Sequence, residues 1–243
     1  MSRFTIANRN PAPQRVLVHP CDTCGARDHS ACASLNDEEQ RRLVSIMTTI
    51  EVGPQRAIFN ETDPADHVFS LTAGAVKIFK LLSDGRRQVT GFLFPGDFLG
   101  LTHNEAYAYS AEALTTSRLC RFPRRRLESL LDELPKLERQ LLGMASHELA
   151  AAQDQMMLLG RKSARERVAS FLLLMSATAA RQGNTDDKVS LPMNRGDIAD
   201  YLGLTVETIS RTLGQLKAKG LIQMPSEKQI LLTRKGALEE ISG

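Results

Sequence analysis

The segment that most constrains the fold of this chain is NRGDIADYLGLTVETISRTLGQLKAKG, residues 194–220. It predicts a first helix at about 195–202 that ends at Gly203, and a second helix that begins at Val206 after the N-cap Thr205. The second helix then carries an apolar stripe at spacings of four and three: Ile209, Leu213 and Leu216. Two short helices joined by a turn of three to four residues indicate a helix-turn-helix unit.

The polar face of the second helix is expected to meet DNA. Glu207, Ser210 and Arg211 lie at i, i+3 and i+4, so they point the same way near the N-terminus, where a recognition helix contacts base edges. Arg suits the acceptors of guanine, and Glu suits the N4 donor of cytosine. Three residues are placed to meet phosphates: Thr205, Thr208 and Lys217. The alternative is a helical hairpin with a solvated Glu–Arg pair. Because GLIQMPSEKQILLT (220–233) predicts a two-stranded hairpin, a winged helix is the better interpretation.

Residues 51–122 have a different sequence pattern, in which short β-rich runs alternate with Gly, Pro and Asp. This pattern indicates an antiparallel sandwich or barrel. Its clearest hairpin is AVKIFKLL joined to RQVTGFLF through SDGR, residues 83–86. Before this region, SLNDEEQRRLVSIM (34–47) predicts a helix with an acidic first turn. The first fifteen residues or so are expected to form a flexible arm.

A long helix is predicted after Pro135, followed by a second at SARERVASFLLLMSATAARQ (163–182), whose Ser163 and Glu166 form a capping box. Six small or apolar residues of the first helix follow heptad spacing: Leu142, Ala145, Leu149, Ala152, Met156 and Leu159. The alternative is a helix packed onto its own domain. These six residues are called the seam below. Polar residues flank the seam on both sides, which favours packing against a parallel helix of a second copy, and hence a homodimer.

Length, composition and charge narrow the class of protein. The 243 residues suggest two domains. No apolar run approaches the roughly 18 residues that span a bilayer, and MSRFTIANRNPAPQR lacks the apolar core of a secretory signal. We therefore expect a cytoplasmic protein with reduced thiols. Residues 161–243 carry 13 Lys and Arg against 9 Asp and Glu, whereas residues 1–160 carry 18 against 19. This asymmetry is compatible with a nucleic-acid face in the C-terminal third.

The cysteines are the remaining chemical signal. HPCDTCGARDHSAC (19–32) holds Cys21, Cys24 and Cys32, and Cys120 follows in SRLCRF. Four thiols together would form a soft site suited either to zinc or to an iron–sulfur cluster. His19 and His29 could replace a thiol in a zinc site, so spacing leaves both metals open. A dithiol enzyme would need a thioredoxin-like βαβ setting, and no Ser/His/Asp or paired-carboxylate arrangement stands out, so we expect no enzyme.

The chain resembles the Crp–Fnr superfamily of bacterial transcription regulators over nearly its whole length. RGDIADYLGLTVETISRTLGQL carries the most specific likeness, and TAGAVKIFKLLSDGRRQVTGFLFPGDFLGL matches the superfamily's β-roll. The resemblance implies an α+β fold: an antiparallel β-roll of the cyclic-nucleotide-binding kind, a long dimerisation helix and a winged helix-turn-helix. It implies four parts: a cysteine-bearing arm at 1–35, a β-roll sensor at 36–135, a dimerisation helix at 136–160 and a DNA-binding domain at 161–243.

The run VETISR (206–211) is close to the FNR branch. That resemblance implies a homodimeric regulator of low-oxygen metabolism that binds an inverted repeat similar to TTGAT-N4-ATCAA. The residues that match the base-reading positions of the family are Glu207, Ser210 and Arg211. The turn at 83–86 corresponds to a loop that touches RNA polymerase. Membrane association is not implied.

The FNR branch holds an oxygen-labile [4Fe–4S] cluster on three N-terminal cysteines and one β-roll cysteine. The resemblance therefore implies the ligands Cys21, Cys24, Cys32 and Cys120, with loss of the cluster in oxygen weakening the dimer. Two departures stand out. The gap from Cys24 to Cys32 is seven residues against five in the best-known member, and Ala152 replaces an Asp whose paired charges would oppose association. The alternative is a family member whose cysteines hold zinc or nothing and which binds DNA constitutively.

Cyclic nucleotides are not expected as ligands. Members that bind cyclic AMP hold its phosphate with an Arg before Ser or Thr, and its ribose with a Glu after Gly. In PGDFLGLTHNEAYAYSAEA (95–113), Tyr109 precedes Ser110, and Asp97 follows Gly96. A phosphate pocket without its cation is a poor site for the nucleotide.

Overall fold

The computed structural model describes residue 21 and residues 23–184 and 187–243. The flexible arm predicted for about the first fifteen residues, and His19, lie outside the described residues. Eight strands form the N-terminal unit: β1 Thr48–Val52, β2 Ala57–Phe59, β3 His67–Ala73, β4 Val76–Leu81, β5 Arg87–Leu93, β6 Phe98–Leu99, β7 Ser110–Ala113 and β8 Ser117–Pro123. They make two antiparallel four-stranded sheets with the orders β1-β8-β3-β6 and β2-β7-β4-β5. The predicted β-roll is confirmed.

The β4–β5 hairpin lies at the predicted position. Its strands pair from Val76↔Leu93 to Leu81↔Arg87, with an irregularity after Ile78. Leu82 N donates to Arg86 O at 2.8 Å, and Gly85 takes a φ of 84° that L side chains rarely adopt.

Four helices surround and follow the β-roll: α1 Asp37–Ser45, α2 Arg124–Leu131, α3 Pro135–Arg161 and α4 Ala164–Arg181. Helix α1 is shorter than the predicted 34–47 because Asn36 caps it in a capping box with Glu39. The residues before it form two short 3-10 turns, Arg27–His29 and Ala31–Ser34. The predicted capping box of Ser163 and Glu166 is present at α4. No helix among the described residues is long and apolar enough to cross a membrane.

The C-terminal unit continues with β9 Lys188–Ser190, α5 Arg195–Leu202, α6 Val206–Ala218, β10 Ile222–Ser226, β11 Gln229–Leu232 and α7 Lys235–Ser242. Both helices of the predicted helix-turn-helix are confirmed, with Gly203 at a φ of 60° ending α5 and Thr205 capping α6. The wing was predicted as two strands, but β9 adds a third in the order β10-β11-β9. Strand β9 has only three residues, too few to show an alternating pattern.

Three apolar cores organise the chain. One fills the β-roll around Leu71 and Leu119. A second joins α1, α2 and the N-terminal half of α3, including Leu137 and Leu141. The third is the core of the C-terminal unit, which also includes Val89 of β5. The C-terminal unit and the β-roll therefore share a packed interface.

Candidate nucleic-acid interface and cysteine pocket

Helix α6 presents its predicted reading face to solvent. Glu207, Ser210 and Arg211 are all exposed, whereas Ile209 and Leu213 on the opposite side are buried. The Ser210 hydroxyl donates to the Val206 carbonyl at 2.9 Å, which leaves its oxygen free to accept. The arrangement is that of a recognition helix, with a cation, an anion and a hydroxyl side by side near its N-terminus.

The residues predicted to meet phosphates lie at the edges of this face. Thr205 Oγ1 accepts from Thr208 N at 3.1 Å, and the two hydroxyl oxygens are 2.9 Å apart. Lys217 is exposed in the last turn of α6. Thr205 is exposed and Thr208 half-buried, so the two hydroxyls and the N-terminus of α6 present donors on one side.

All four cysteines line one pocket. Cys21, Cys24 and Cys32 come from the loop before α1, and Cys120 comes from the middle of β8. Cys120 pairs in register with Thr49 of β1 and with Ser70 of β3. The remaining lining residues are Ala26, Arg27, Ser30, Leu43, Val44, Met47, Ser70, Thr72 and Phe122.

Short turns hold the cysteine loop. Cys24 N donates to Cys21 O at 3.3 Å, and Arg27 N donates to Cys24 O at 3.1 Å. Ser30 caps the next 3-10 turn, its Oγ accepting from Cys32 N at 3.2 Å. These turns hold the loop beside β8, so residues far apart in sequence line one pocket.

The pocket disfavours free thiolates. Burial, followed by the charges of the other three cysteines, raises the pKa of Cys120 to about 12. Burial also raises the pKa of Cys32, while the hydrogen bond with Ser30 opposes it. Four thiolates at this site would need a cation to offset their mutual repulsion.

The pocket is small. Its void is about 20 Å³, room for about one water. Among the described residues, no group of three or more His, Cys, Asp or Glu side chains is arranged to hold a metal ion as it stands. The donor chemistry therefore fits a soft metal, whereas a bulky group requires the loop to move outward. His29 is exposed and lies against a different cavity, with Asp97 and Arg181.

The cysteine loop contacts both the β-roll and α3. A Cβ at Gly96, whose φ is 105°, would lie 2.7 Å from His29 O, so only glycine permits this close approach. On the other side, Ala31 is fully buried in the core that includes Leu137 and Leu141 of α3. Cys32 and Cys120 are both partly buried against that same core. The cysteine loop is thus packed directly against the long helix.

Another side of α3 is an apolar stripe that no described residue of the chain covers. Five predicted seam residues are exposed: Leu142, Ala145, Leu149, Ala152 and Met156. The sixth, Leu159, is half-buried, and its Cδ2 would lie 3.2 Å from a Cβ at Gly203 of the same chain.

Aromatic rings fill the β-roll near the position expected for a nucleotide phosphate. The centroids of Phe59 and Tyr107 are 3.8 Å apart, and those of Phe59 and Tyr109 are 5.6 Å apart. The Tyr109 hydroxyl accepts from Gly100 N at 2.9 Å, and burial raises the pKa of Tyr109 to about 12. The neutral, hydrogen-bonded ring of Tyr109 therefore occupies the position expected for the nucleotide phosphate.

One cluster of charges has no counterpart in the sequence predictions. Lys77 and Arg87 of the β-roll contact Asp197 and Asp200 of α5. These contacts join residues more than 100 positions apart. In the sequence, Asp197 is recognisable only as a capping residue of α5, where it forms a capping box with Asn194.

Comparisons with known proteins agree with this architecture. A family model described as a Crp-like helix-turn-helix domain matches residues 166–241, and one described as a cyclic nucleotide-binding domain matches residues 49–133. The chain is 41% identical over 203 residues to the transcriptional activatory protein AadR of Rhodopseudomonas palustris, covering 83% of this chain and 85% of that protein.

Two further relatives cover most of the chain. The identity with the transcriptional activator protein FnrL of Cereibacter sphaeroides is 34% over 231 residues, covering 93% of each protein. The solved structure of FixK2 from Bradyrhizobium japonicum is similar with a TM-score of 0.77 and 38% identity, covering 82% of this chain and 98% of that one.

Proposed function

Because this chain belongs to the Crp/Fnr family of transcription regulators, which bind DNA and are not enzymes, we propose that it is an oxygen-responsive member. In this proposal it binds DNA as a homodimer while its four cysteines hold a [4Fe–4S] cluster. The observation that carries the proposal is the common pocket of Cys21, Cys24 and Cys32 with Cys120 of β8. Its position against α3 gives a route from the cysteines to the dimer.

The cysteines supply a ligand set suited to iron. Four cysteine sulfurs are the ligand set that a [4Fe–4S] cluster requires. Here the four cysteines share their pocket with apolar residues such as Phe122 and Met47. When bound, the cluster supplies a covalent tie between the loop and β8, together with sensitivity to oxygen.

Packing connects the loop to the long helix. The turn that carries Cys32 buries Ala31 against Leu137 and Leu141, so a loop held in place supports the N-terminal half of α3. Release of the loop removes part of that support. Metal ligation and subunit association are thereby coupled through one core.

The exposed stripe of α3 supports a homodimer. Leu142 and Leu149 are 66% and 61% exposed, and Met156 is 67% exposed. Exposed apolar residues at heptad spacing are satisfied by a second copy of the same helix. Two recognition helices then reach the two halves of an inverted repeat similar to TTGAT-N4-ATCAA, and affinity rises because the second contact is intramolecular.

Other partners follow from the resemblance. The exposed turn at 83–86 corresponds to the family's contact with RNA polymerase. Cyclic nucleotides are not proposed as ligands, because Tyr109 lies where a phosphate-binding Arg would be needed.

Anaerobic purification tests the cluster. We expect a straw-brown protein with broad visible absorbance, with iron and sulfide in equal amounts. Cys120→Ala should lose most of the iron. Ser70→Ala is the matched control, because Ser70 lines the same pocket and pairs with Cys120, yet offers no thiol. Equal iron in Cys120→Ala and the wild type would remove Cys120 from the ligand set.

A zinc site is the second candidate, favoured by the small void. A single Zn²⁺ bound by four thiolates needs less outward movement of the loop than a cluster does. A colourless protein with one tightly bound zinc per chain, whose DNA affinity is the same in air and without oxygen, would establish this alternative in place of the sensor.

A further inference from the structure

We infer that Lys77 and Arg87 of the β-roll are positioning residues for DNA binding. They hold the first helix of the helix-turn-helix, α5, and thereby fix the recognition helix relative to α3. The inference rests on the proposed dimeric function, because its consequence is the spacing between two recognition helices.

Lys77 and Asp197 form a buried ion pair between the two units. Lys77 Nζ lies 2.8 Å from Asp197 Oδ1, and the side chains are 5% and 2% exposed. Lys77 Nζ also lies 2.8 Å from Glu112 Oε1 on the neighbouring strand β7. Removing one partner of a buried pair leaves a charge without compensation, so such pairs enforce one arrangement.

Arg87 extends this contact along α5. Its Nη2 lies 3.0 Å from Asp197 Oδ1 and 2.8 Å from Asp200 Oδ2. The neighbouring Gln88 donates from Nε2 to Asp200 O at 2.7 Å. These bonds are directional, and several are charge-assisted, so they restrict rotation of α5 as well as its distance from the sheet.

Aromatic packing lies beside the charges. The ring of Phe92 on β5 is 5.1 Å from that of Tyr201 on α5 and 6.1 Å from that of Phe171 on α4. The aromatic contact buries apolar area but does not by itself fix how α5 is aligned on the sheet. The ion pairs, which join particular atoms, select that alignment.

The other end of α5 is tied to the end of α3. Arg167 Nη1 donates to Leu202 O at 2.8 Å, and its Nη2 donates to Leu159 O at 2.8 Å. Gln155 of α3 donates from Nε2 to Tyr201 O at 2.6 Å. Helix α5 is therefore held at both ends, by the β-roll and by the dimer helix.

The docked arrangement leaves the reading face open. Glu207, Ser210 and Arg211 remain exposed while α5 lies against the β-roll. The contact therefore positions α6 for DNA and does not mask it. In a dimer built on α3, it would set the distance and rotation between two recognition helices, which decide the spacer that the protein accepts.

The test compares two interface variants with a matched control. Asp197→Asn keeps a side-chain oxygen to cap α5 but removes the charge, and Arg87→Met leaves the cap untouched. Lys80→Met is the control, because Lys80 lies on the same strand as Lys77 but pairs with Glu61 inside the β-roll, at 2.8 Å.

Binding to TTGAT-N4-ATCAA and TTGAT-N5-ATCAA duplexes is measured by fluorescence anisotropy on anaerobically purified protein. In both interface variants we expect the Kd for the N4 duplex to rise about tenfold and the ratio of the N5 to the N4 Kd to fall toward one. Lys80→Met should keep both wild-type values. A defect in folding alone would reduce active protein without changing the ratio of Kd values.

Hydrogen exchange without DNA separates this inference from the proposed function. Amides of 195–202 should exchange faster in Asp197→Asn and Arg87→Met than in the wild type and in Lys80→Met. Wild-type exchange together with an unchanged ratio of Kd values would overturn the inference. A wild-type protein that binds neither duplex would count against the proposed DNA site, while the exchange rates would still decide whether the charges hold α5.

Discussion

Leu141 and Leu142 are consecutive residues of α3 that lie on different faces of the helix. Leu141 is 5% exposed and packs in the core that also includes Ala31 of the cysteine loop, whereas Leu142 is 66% exposed. One step of 100° around the helix thus separates the support of the cysteine site from the proposed dimer seam.

Substitution of these two leucines should separate stability from association. Leu141→Ala opens a cavity in the core, so we expect it to lower the free energy of unfolding by about 2–5 kcal/mol. Leu142→Ala should leave the stability of the folded protomer nearly unchanged but weaken the dimer. Denaturant unfolding and sedimentation equilibrium measure the two effects. Equal loss of stability in both variants would contradict the two-faced helix.

The dimer should survive oxygen better than one with a charged seam. Ala152 places no charge at the centre of the stripe, so air-exposed wild-type protein should still elute partly as a dimer in size-exclusion chromatography. Ala152→Asp should elute as a monomer in air, because paired carboxylates oppose association. Ala151→Asp carries the same charge just off the seam and serves as the control. A clean monomer of air-exposed wild type would refute the prediction.

Arg211 and Lys217 should contribute to DNA binding in different ways. Arg211→Ala should cost about 1–3 kcal/mol and relax the preference at one base pair, because a bidentate contact with guanine is lost. Lys217→Ala should weaken binding to every sequence alike and reduce the dependence of affinity on salt. Anisotropy titrations with single-base variants of the duplex at two salt concentrations distinguish the two. If Lys217→Ala instead lost the preference at one base pair, Lys217 would read a base and the assignment of the two residues would be wrong.

Cyclic AMP should not stabilise the protein. A ligand that binds the native state raises Tm as its concentration increases, but the aromatic cluster and the hydrogen bond from Gly100 to Tyr109 occupy the required position. Thermal unfolding with increasing cyclic AMP should therefore give a constant Tm. A progressive rise of more than about 2 °C would show that the β-roll opens to a nucleotide.

Sequence patterns were most successful where the determinants are local. The predicted helix at 195–202 matches Arg195–Leu202, and the predicted start of the second helix at Val206 is correct. Both follow from caps and from a 3.6-residue period, which act over a few neighbouring residues. Helix α7 was not predicted, although its Leu238 is fully buried. Unlike α5, which is equally short but begins with a capping box, α7 has no side-chain cap at Arg234 to mark its start, so packing against α4 decides its structure.

By itself, the sequence determined the helix-turn-helix, the polar face formed by Glu207, Ser210 and Arg211, the β4–β5 hairpin and the heptad spacing of α3. Each depends on interactions within one or two elements. Only the tertiary structure decided that Cys120 lines the same pocket as Cys32, and that Lys77 pairs with Asp197 across the two units. Those pairings join residues about 90 to 120 positions apart, and their geometry depends on sheet register and on how whole elements pack, which no local pattern encodes.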